Sequence, residues 1–163
     1  MKKYLGSTTR IDHVAIAVRD LKEALFLYQD IFGFELLAER EVKGAFSGMI
    51  SAELSAGGFS IVLIQGTDPD SQVSRYIAEY GPGVQHIAVE VEDVRALAIL
   101  LKESGVQFAT DVIDGDGLVQ IFTRREGNSG MMFEFIQRRD NAEGFEPGNI
   151  QQLFNQLETS EAY

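Results

Sequence analysis

Two histidines and one glutamate have the residue types and the spacing of a metal site. His13 and His86 are the only histidines in the chain, and each opens a run that reads His, apolar, Ala, apolar, any residue, Val. Glu134 is a carboxylate among apolar residues of a later run. Two imidazoles and one carboxylate suit non-haem Fe(II) with open coordination positions, and the same set also binds Zn²⁺, Mn²⁺ or Co²⁺.

The alternative for these three residues is an ordinary core. A buried histidine is usually satisfied by hydrogen bonds, and a buried glutamate by a neighbouring arginine. For either histidine alone that alternative is the better one. Two histidines at equivalent positions of a repeat, joined by a glutamate in mid-strand, favour a metal site.

The elements that must position these residues repeat along the chain. Residues 11–66 predict a strand, a helix and three more strands, and residues 84–138 predict the same order. Aligning the fourth strands of the two copies puts Glu134 at the position of Val62. The pattern predicts an α+β fold in which two tandem βαβββ modules form one curved mixed sheet, with a metal-binding cup on its concave face.

Several local predictions accompany this fold. Asp20 and Asp93 are expected to cap the two module helices. The first helix is expected to bury an apolar stripe made of Leu21, Ala24, Leu25, Tyr28, Ile31 and Phe32. Residues 106–112 are expected to form a strand. A C-terminal helix is predicted over 149–158, with Asn149 as its N-cap.

Composition limits the classes of function. The chain has 163 residues, no cysteine and a net charge of −11, which predicts one domain over 1–163 without disulfides and argues against nucleic acid and anionic membranes as partners. No apolar run follows the first three residues, so we expect no signal peptide and a cytoplasmic protein.

Four other residues are candidates for chemistry. Gln120 and Phe122 are two apart on a strand and share a face, although parity does not say whether that face is the cup. Phe145, in a glycine-rich turn, is expected either to lean over the cup or to plug the core. Glu53 is a candidate base, but a solvated strand carboxylate is the preferred interpretation.

Four runs in the second half resemble one family of enzymes. They read Gly-Val-Gln-His at 83–86, Leu-Val-Gln-Ile-Phe-Thr at 118–123, Phe-Glu-Phe-Ile-Gln-Arg at 133–138 and Gly-Phe-Glu-Pro-Gly-Asn at 144–149. With the paired histidine strands, residues 11–138 resemble the vicinal oxygen chelate superfamily of glyoxalases, bleomycin-resistance proteins and extradiol dioxygenases. The second half is similar to the catalytic half of 4-hydroxyphenylpyruvate dioxygenase and to hydroxymandelate synthase.

This resemblance implies roles for particular residues. The positions that match the iron ligands are His13, His86 and Glu134. The positions that match active-site glutamines are Gln72, Gln85 and Gln120. The positions that match phenylalanines on either side of the substrate ring are Phe122 and Phe145.

The chain also departs from its relatives. Those dioxygenases carry an additional N-terminal domain, and their counterpart of residues 110–117 is longer and forms part of the pocket wall. Methylmalonyl-CoA epimerase, which the first half resembles, and glyoxalase I use a fourth ligand, Glu or Gln, on the fourth strand of the first module. Here that position is Val62, which cannot bind a metal, and Gln65 would reach the site only in a different strand register.

We therefore expect an Fe(II)-dependent dioxygenase of the 4-hydroxyphenylpyruvate type that acts on a 2-oxo acid. The alternative is an isomerase or lyase of the glyoxalase or epimerase kind, using Zn, Co, Mn or Mg, with Glu134 or Glu53 accepting a proton. A third alternative is a ligand-sequestering module without a working metal. The expected partner is a small molecule, with neither nucleic acid nor membrane, and the oligomeric state stays open with a homodimer as one candidate.

Overall fold

A computed structural model of the protein describes residues 5–6, 9–139 and 142–160. The first residues of the chain, on which the signal-peptide prediction rests, lie outside this part. No helix within the described part is long and apolar enough to cross a membrane.

The elements follow the predicted order. The strands are β1 (Arg10–Ala17), β2 (Glu35–Lys43), β3 (Gly48–Ser55), β4 (Ser60–Gly66), β5 (Gly83–Glu90), β6 (Ile113–Asp114), β7 (Leu118–Phe122) and β8 (Met132–Arg138). The helices are α1 (Leu21–Leu25), which continues as a π-helical turn (Phe26–Ile31), α2 (Gln72–Tyr80), α3 (Val94–Glu103) and α4 (Pro147–Thr159).

All eight strands form one mixed sheet in the order β2-β3-β4-β1-β5-β8-β7-β6. The two first strands of the modules, β1 and β5, meet at its centre and run antiparallel. Each then pairs in parallel with the fourth strand of its own module, β4 or β8. The sheet is therefore related to itself by a pseudo-twofold axis between β1 and β5, and the predicted fold is confirmed.

The register of the fourth strands confirms the predicted alignment of the two copies. Val62 lies opposite Ala15 in the first module, and Glu134 lies opposite Ala88 in the second. Ala15 and Ala88 occupy the same position in their strands, two residues after each histidine. Glu134 and Val62 are thus equivalent, and both lie beside the centre of the sheet.

The start of each module helix is fixed in the same way. Asp20 and Asp93 each accept a hydrogen bond from the backbone N–H three residues further on, as predicted. Gln65 and Gln137, from the neighbouring fourth strands, accept the N–H of the first residue of each helix. These bonds satisfy backbone donors that lack partners within the helix.

The predicted apolar stripe of the first helix is wrong in its last turn. The chain changes there from α- to π-helical bonding, because the N–H of Phe32 bonds the carbonyl of Leu27, five residues earlier. The wider turn shifts the helical face by one residue, so Ile31 and Phe32 are exposed instead of buried. Tyr28, inside the π-helical turn, packs on the core as predicted.

The predicted strand over 106–112 is also wrong. Within the described residues it is reduced to one bridge, between Phe108 and Thr123, and the short β6 that follows. Side-chain hydrogen bonds replace part of the strand pairing. The hydroxyl of Thr110 accepts the N–H of Phe122, and the amide oxygen of Gln156 accepts the N–H of Asp111.

The C-terminal helix is present, but Asn149 is not its N-cap. The helix begins at Pro147, and Glu146, in the capping position, makes no side-chain capping bond. Proline suits the first turn because its missing N–H would have no partner there. Asn149 lies inside the helix and is buried, and its side chain donates to the carbonyl of Leu118 at 3.2 Å.

Candidate metal centre

The three predicted metal ligands converge from neighbouring strands. Nε2 of His13 on β1 lies 3.2 Å from Nε2 of His86 on β5. The same atom lies 3.1 Å from Oε2 of Glu134 on β8, and Nε2 of His86 lies 3.7 Å from that oxygen. Three groups that can donate electron pairs therefore face one point, which is the arrangement that a divalent cation requires.

The state of Glu134 supports a metal at this point. The residue is only 1% exposed, and among the described residues its Oε1 atom has no hydrogen-bond partner. A buried polar atom without a partner costs about 1–3 kcal/mol, and more when it is charged. A cation held by the carboxylate and the two imidazoles would remove that cost, so the residues present fit a divalent metal such as Fe(II).

A carboxylate and an arginine stand behind His13. Oδ1 of Asp12 lies 2.8 Å from Nδ1 of the imidazole. Arg138 holds Asp12 through two hydrogen bonds, of 2.6 and 2.9 Å, and it also donates to the carbonyl of Gly144 at 2.8 Å. A ring that donates from Nδ1 to a carboxylate turns its Nε2 lone pair towards a metal.

The second imidazole has a neutral neighbour instead. Nδ1 of His86 is hydrogen-bonded to the amide oxygen of Gln85, and the His86 ring makes an edge contact with Phe122 at 5.1 Å between ring centres. Gln85, which the family resemblance matched to an active-site glutamine, thus holds His86, one of the three candidate ligands, in place. The centre is asymmetric, with a carboxylate behind one histidine and an amide behind the other.

This asymmetry separates the pKa values of the two imidazoles. Burial alone would lower the pKa of His13, but the charge of Glu134 and the hydrogen bond with Asp12 outweigh it and raise the pKa from 6.5 to about 9. Burial holds the pKa of His86 well below 6.5, and the charge of His13 lowers it further. The metal-free protein therefore carries a proton on His13, which a metal must displace on binding.

The three ligands lie in a cavity of about 70 Å³ on the concave face of the sheet, which we call the cup. The cup is lined by His13, Arg40, Met49, Ser51, Val62, Ile64, Gln72, Val73, Gln85, His86, Gln120, Phe122, Glu134, Phe145, Ile150, Leu153 and Leu157. Its walls come from both modules, and the last three of these residues come from α4. The three candidate ligands, the three glutamines and the two phenylalanines predicted for the site therefore line one cavity.

Two glutamines present polar groups to the cup. Gln72, in the first turn of α2, is buried, and its amide oxygen has no partner among the described residues. Within the part of the chain that the structure describes, the side chain of Gln120 on β7 makes only a long bond of 3.5 Å, to the backbone carbonyl of Asn149. Both amides therefore have donor and acceptor capacity that a bound molecule can use.

Comparison with known proteins agrees with this geometry. Residues 10–135 match the model of the family described as the Glyoxalase/Bleomycin resistance protein/Dioxygenase superfamily. The chain belongs to this superfamily.

Enzymes with several different names are similar to the chain. The 4-hydroxyphenylpyruvate dioxygenase of Legionella pneumophila is 30% identical over 92% of this chain and 53% of its own length. A mutant 4-hydroxymandelate synthase from Streptomyces coelicolor superposes with a TM-score of 0.84 at 25% identity, over 94% of this chain and 54% of that one. Methylmalonyl-CoA epimerase from Mycobacterium tuberculosis gives 0.67 at 27% identity, over 79% and 87%.

The relatives fall into two groups according to how much of their own length this chain covers. The chain spans about half the length of the curated relatives it matches. It covers most of the length of the epimerase structure. The activity of the longer relatives therefore carries over to this chain only as a proposal.

Glu53, a candidate base in the glyoxalase-type alternative, is neither solvated nor in the cup. The preferred interpretation of a solvated carboxylate is wrong, because Glu53 is 3% exposed and bonds Nη2 of Arg40 at 2.9 Å. It lines a neighbouring cavity together with Asp12 and Arg138. A substrate in the cup would not meet this carboxylate.

Three residues around the site were not predicted from the sequence, namely Asp12, Arg138 and Arg40. Two of them had a signal that could have been used. Asp12 directly precedes His13, and Arg138 is four residues after Glu134 on a strand and so shares its face. Arg40 gave no such signal, because only the pairing of β2 with β3 brings it to Glu53.

Proposed function

We propose that this protein is an Fe(II)-dependent dioxygenase that acts on a 2-oxo acid. The observation that carries the proposal is the number of ligands. His13, His86 and Glu134 provide three, and Val62 stands at the repeat-related position where a fourth would be. Three protein ligands leave open coordination positions, which a chelating keto acid and dioxygen both need.

The relatives support the same proposal. Several curated relatives are named 4-hydroxyphenylpyruvate dioxygenase, from Legionella pneumophila and Pseudomonas aeruginosa among others. The hydroxymandelate synthase superposes on nearly the whole chain. These names motivate the choice of a 2-oxo acid and dioxygen as substrates. Iron is chosen over other divalent metals because two histidines and one carboxylate are typical of non-haem Fe(II) oxygenases.

The proposed reaction needs no reductant besides its substrate. When bound, Fe(II) would be chelated by the 2-oxo acid and would activate dioxygen. The C1–C2 bond breaks and carbon dioxide leaves, one oxygen atom enters the new carboxylate, and the other enters a C–H bond of the remaining chain. Cleavage and hydroxylation each release an electron pair, and together the two pairs reduce dioxygen completely.

The protein's own residues bind, orient and exclude water. Asp12 and Gln85 keep Nδ1 of the two histidines engaged, so that both Nε2 atoms face Glu134. The apolar side chains of α4 cover the cup and keep bulk water out. A dry site strengthens the interaction of charged groups with a metal and protects reactive species from side reactions.

Gln72 and Gln120 are proposed to contact the substrate. Their amides line the cup and have hydrogen-bonding capacity that the protein does not use fully. An amide can donate to a carboxylate or keto oxygen and so fix the orientation of a 2-oxo acid. We expect loss of Gln120 to lower turnover.

The test is oxygen consumption. The purified chain is loaded anaerobically with Fe(II), mixed with each member of a 2-oxo acid panel, and admitted to an oxygen electrode with a carbon dioxide assay. The proposal predicts equal molar uptake of oxygen and release of carbon dioxide. The Glu134→Ala variant serves as the inactive control. No uptake by the wild type with any 2-oxo acid would contradict the proposal.

A second candidate function is an isomerase or lyase that stabilises an enediolate on a divalent metal. It is favoured by the likeness to methylmalonyl-CoA epimerase, whose length this chain nearly covers. Val62 and the displaced Glu53 argue against it, because they remove a fourth ligand and one candidate base. Exchange of the α-proton of a thioester or hemithioacetal into deuterated water, without oxygen uptake, would establish this function instead.

A further inference from the structure

The cup is small for an aromatic substrate. Its volume is about 70 Å³, whereas a single water molecule needs roughly 10–15 Å³ of cavity. A cavity of about 150 Å³ is large enough to bind one benzene ring, and the cup offers less free volume than that. The free volume therefore favours a compact side chain on the 2-oxo acid over an aryl ring.

Much of the Phe122 ring is already covered by neighbouring side chains. Phe122 packs in one buried cluster with Met132 and Leu157, and Leu153 lies against the same cluster. Its ring edge also contacts His86. The two leucines of α4 thus cover part of the Phe122 surface that a substrate ring would otherwise contact.

Phe145 is likewise engaged by the protein. Its ring meets the ring of His13 edge to face, with 4.8 Å between centres. The guanidinium carbons of Arg40 and Arg138 each lie 5.6 Å from the centre of the Phe145 ring. These contacts use the ring surface that would otherwise stack on an aromatic substrate.

Helix α4, which closes the cup, is fastened to both modules. Near its start, Asn149 donates to the carbonyl of Leu118 at 3.2 Å. Near its end, Glu158 accepts the N–H of Ala45 at 3.1 Å. An outward shift of α4 large enough to admit an aryl ring would break bonds of this kind.

We infer that the substrate of the cup is a short aliphatic 2-oxo acid, and not an aromatic one. This inference rests on the proposed function and names the substrate class of the same site. The alkyl group lies against the aliphatic wall formed by Val62, Ile64 and Val73, and Gln72 supplies the polar contact. The two phenylalanines that resemble ring-flanking residues instead serve as packing for the two histidines.

The experiment compares ligands in two independent ways. The first is kcat/KM for oxygen uptake with pyruvate, 2-oxobutanoate, 4-methyl-2-oxopentanoate and phenylpyruvate. The second is calorimetric titration of the Zn(II)-loaded protein with the same acids, which needs no turnover. We expect the best aliphatic acid to exceed phenylpyruvate by about 10-fold or more in both measurements.

The outcomes separate this inference from the proposed function. Equal or better binding and turnover of phenylpyruvate would overturn the inference and leave the dioxygenase intact. Tight binding of an aliphatic acid without oxygen uptake would contradict the dioxygenase and support the substrate class. Absence of calorimetric binding by every acid would overturn the inference.

Enlarging the cup tests the stated cause. Leu157→Ala and Leu153→Ala should each lower the preference for aliphatic over aromatic acid by about 10-fold. Leu153 is only partly buried, so its variant keeps the test available if Leu157→Ala fails to fold. Leu100→Ala, at an exposed position of α3, is the matched control and should leave the preference unchanged. An unchanged preference in a folded Leu153→Ala protein would overturn the role of α4.

Discussion

Oδ1 of Asp12 lies 2.8 Å from Nδ1 of His13, and both side chains are buried. Arg138 bonds the same carboxylate twice and joins it to the segment that leads into α4. His86 has a neutral amide at the corresponding place. The two histidines therefore differ in what orients them, and if they bind a metal as proposed, the difference can be measured through metal affinity.

Asp12→Asn should weaken metal binding. The change keeps an oxygen beside His13 but removes the charge that orients its ring and holds Arg138. Loss of such an outer partner typically reduces metal affinity by about 10–100-fold. Competition of Zn(II) or Co(II) between the protein and a chelator measures the effect.

Two comparisons accompany the Asp12 variant. Asp114→Asn removes an exposed carboxylate that bonds Arg139 and should leave the affinity unchanged. Gln85→Ala should weaken metal binding less than Asp12→Asn, because it removes a neutral partner. An Asp12→Asn protein with wild-type affinity would show that this carboxylate does not support the metal centre.

The stability of the metal-free protein should be greatest near neutral pH. Since the pKa of His13 rises from 6.5 to about 9 on folding, its contribution is fully present below pH 6.5 and is lost as the pH approaches 9. The pKa of His86 falls well below 6.5, so stability also declines as the pH drops from 6.5. The alkaline loss should be on the order of 3 kcal/mol.

Urea unfolding at a series of pH values, with a chelator present, measures this dependence. His13→Gln should remove the alkaline decline and keep the acid one, and His86→Gln should do the reverse. A free energy of unfolding that rises steadily from pH 6.5 to 9 in the wild-type metal-free protein would contradict the protonation of His13.

Metal should stabilise the fold through Glu134. A ligand that binds only the folded state at about 100 times its dissociation constant adds about 2.7 kcal/mol to the free energy of unfolding. Thermal melts with Co(II) should therefore rise for the wild type and for Glu39→Ala, an exposed control, but not for Glu134→Ala. Equal melts with and without metal in the wild type would favour a ligand-sequestering module.

Val62→Glu tests the open coordination position directly. Its place in β4 matches that of Glu134 in β8, so a carboxylate there should reach the metal from the other side of the pseudo-twofold axis. We expect metal affinity to be kept and oxygen uptake to be suppressed. Val62→Ile, which adds volume but no ligand atom, should retain more oxygen uptake, and equal activity of the two variants would count against the three-ligand account.

The repeat explains why so much of the fold was predictable. The same pattern occurs twice, so Asp20 and Asp93, or Val62 and Glu134, could be checked against each other within one sequence. The wrong predictions concern segments where local hydrogen bonds depart from the repeated pattern. Thr110 uses its hydroxyl in place of a strand bond, and the first helix changes its bonding before Phe32. Neither feature can be recognised from the periodicity of apolar residues in the sequence.

The convergence of the three candidate ligands was predictable, but their surroundings were less so. His13, His86 and Glu134 differ from the apolar residues around them, and their register follows from strand parity. The pairing of Arg40 with Glu53 depends on how two strands meet. The contacts of Phe145 with two arginines depend on where a C-terminal segment folds back. Sequence periodicity carries no information about such long-range contacts.

The location of the metal is the most direct test of this account. Crystals of the chain loaded anaerobically with Fe(II), measured at the iron absorption edge, should show one strong anomalous peak. The account predicts that the peak lies ~2.0–2.2 Å from Nε2 of His13, Nε2 of His86 and an oxygen of Glu134. A peak elsewhere, or the absence of any peak from a fully loaded crystal, would contradict it.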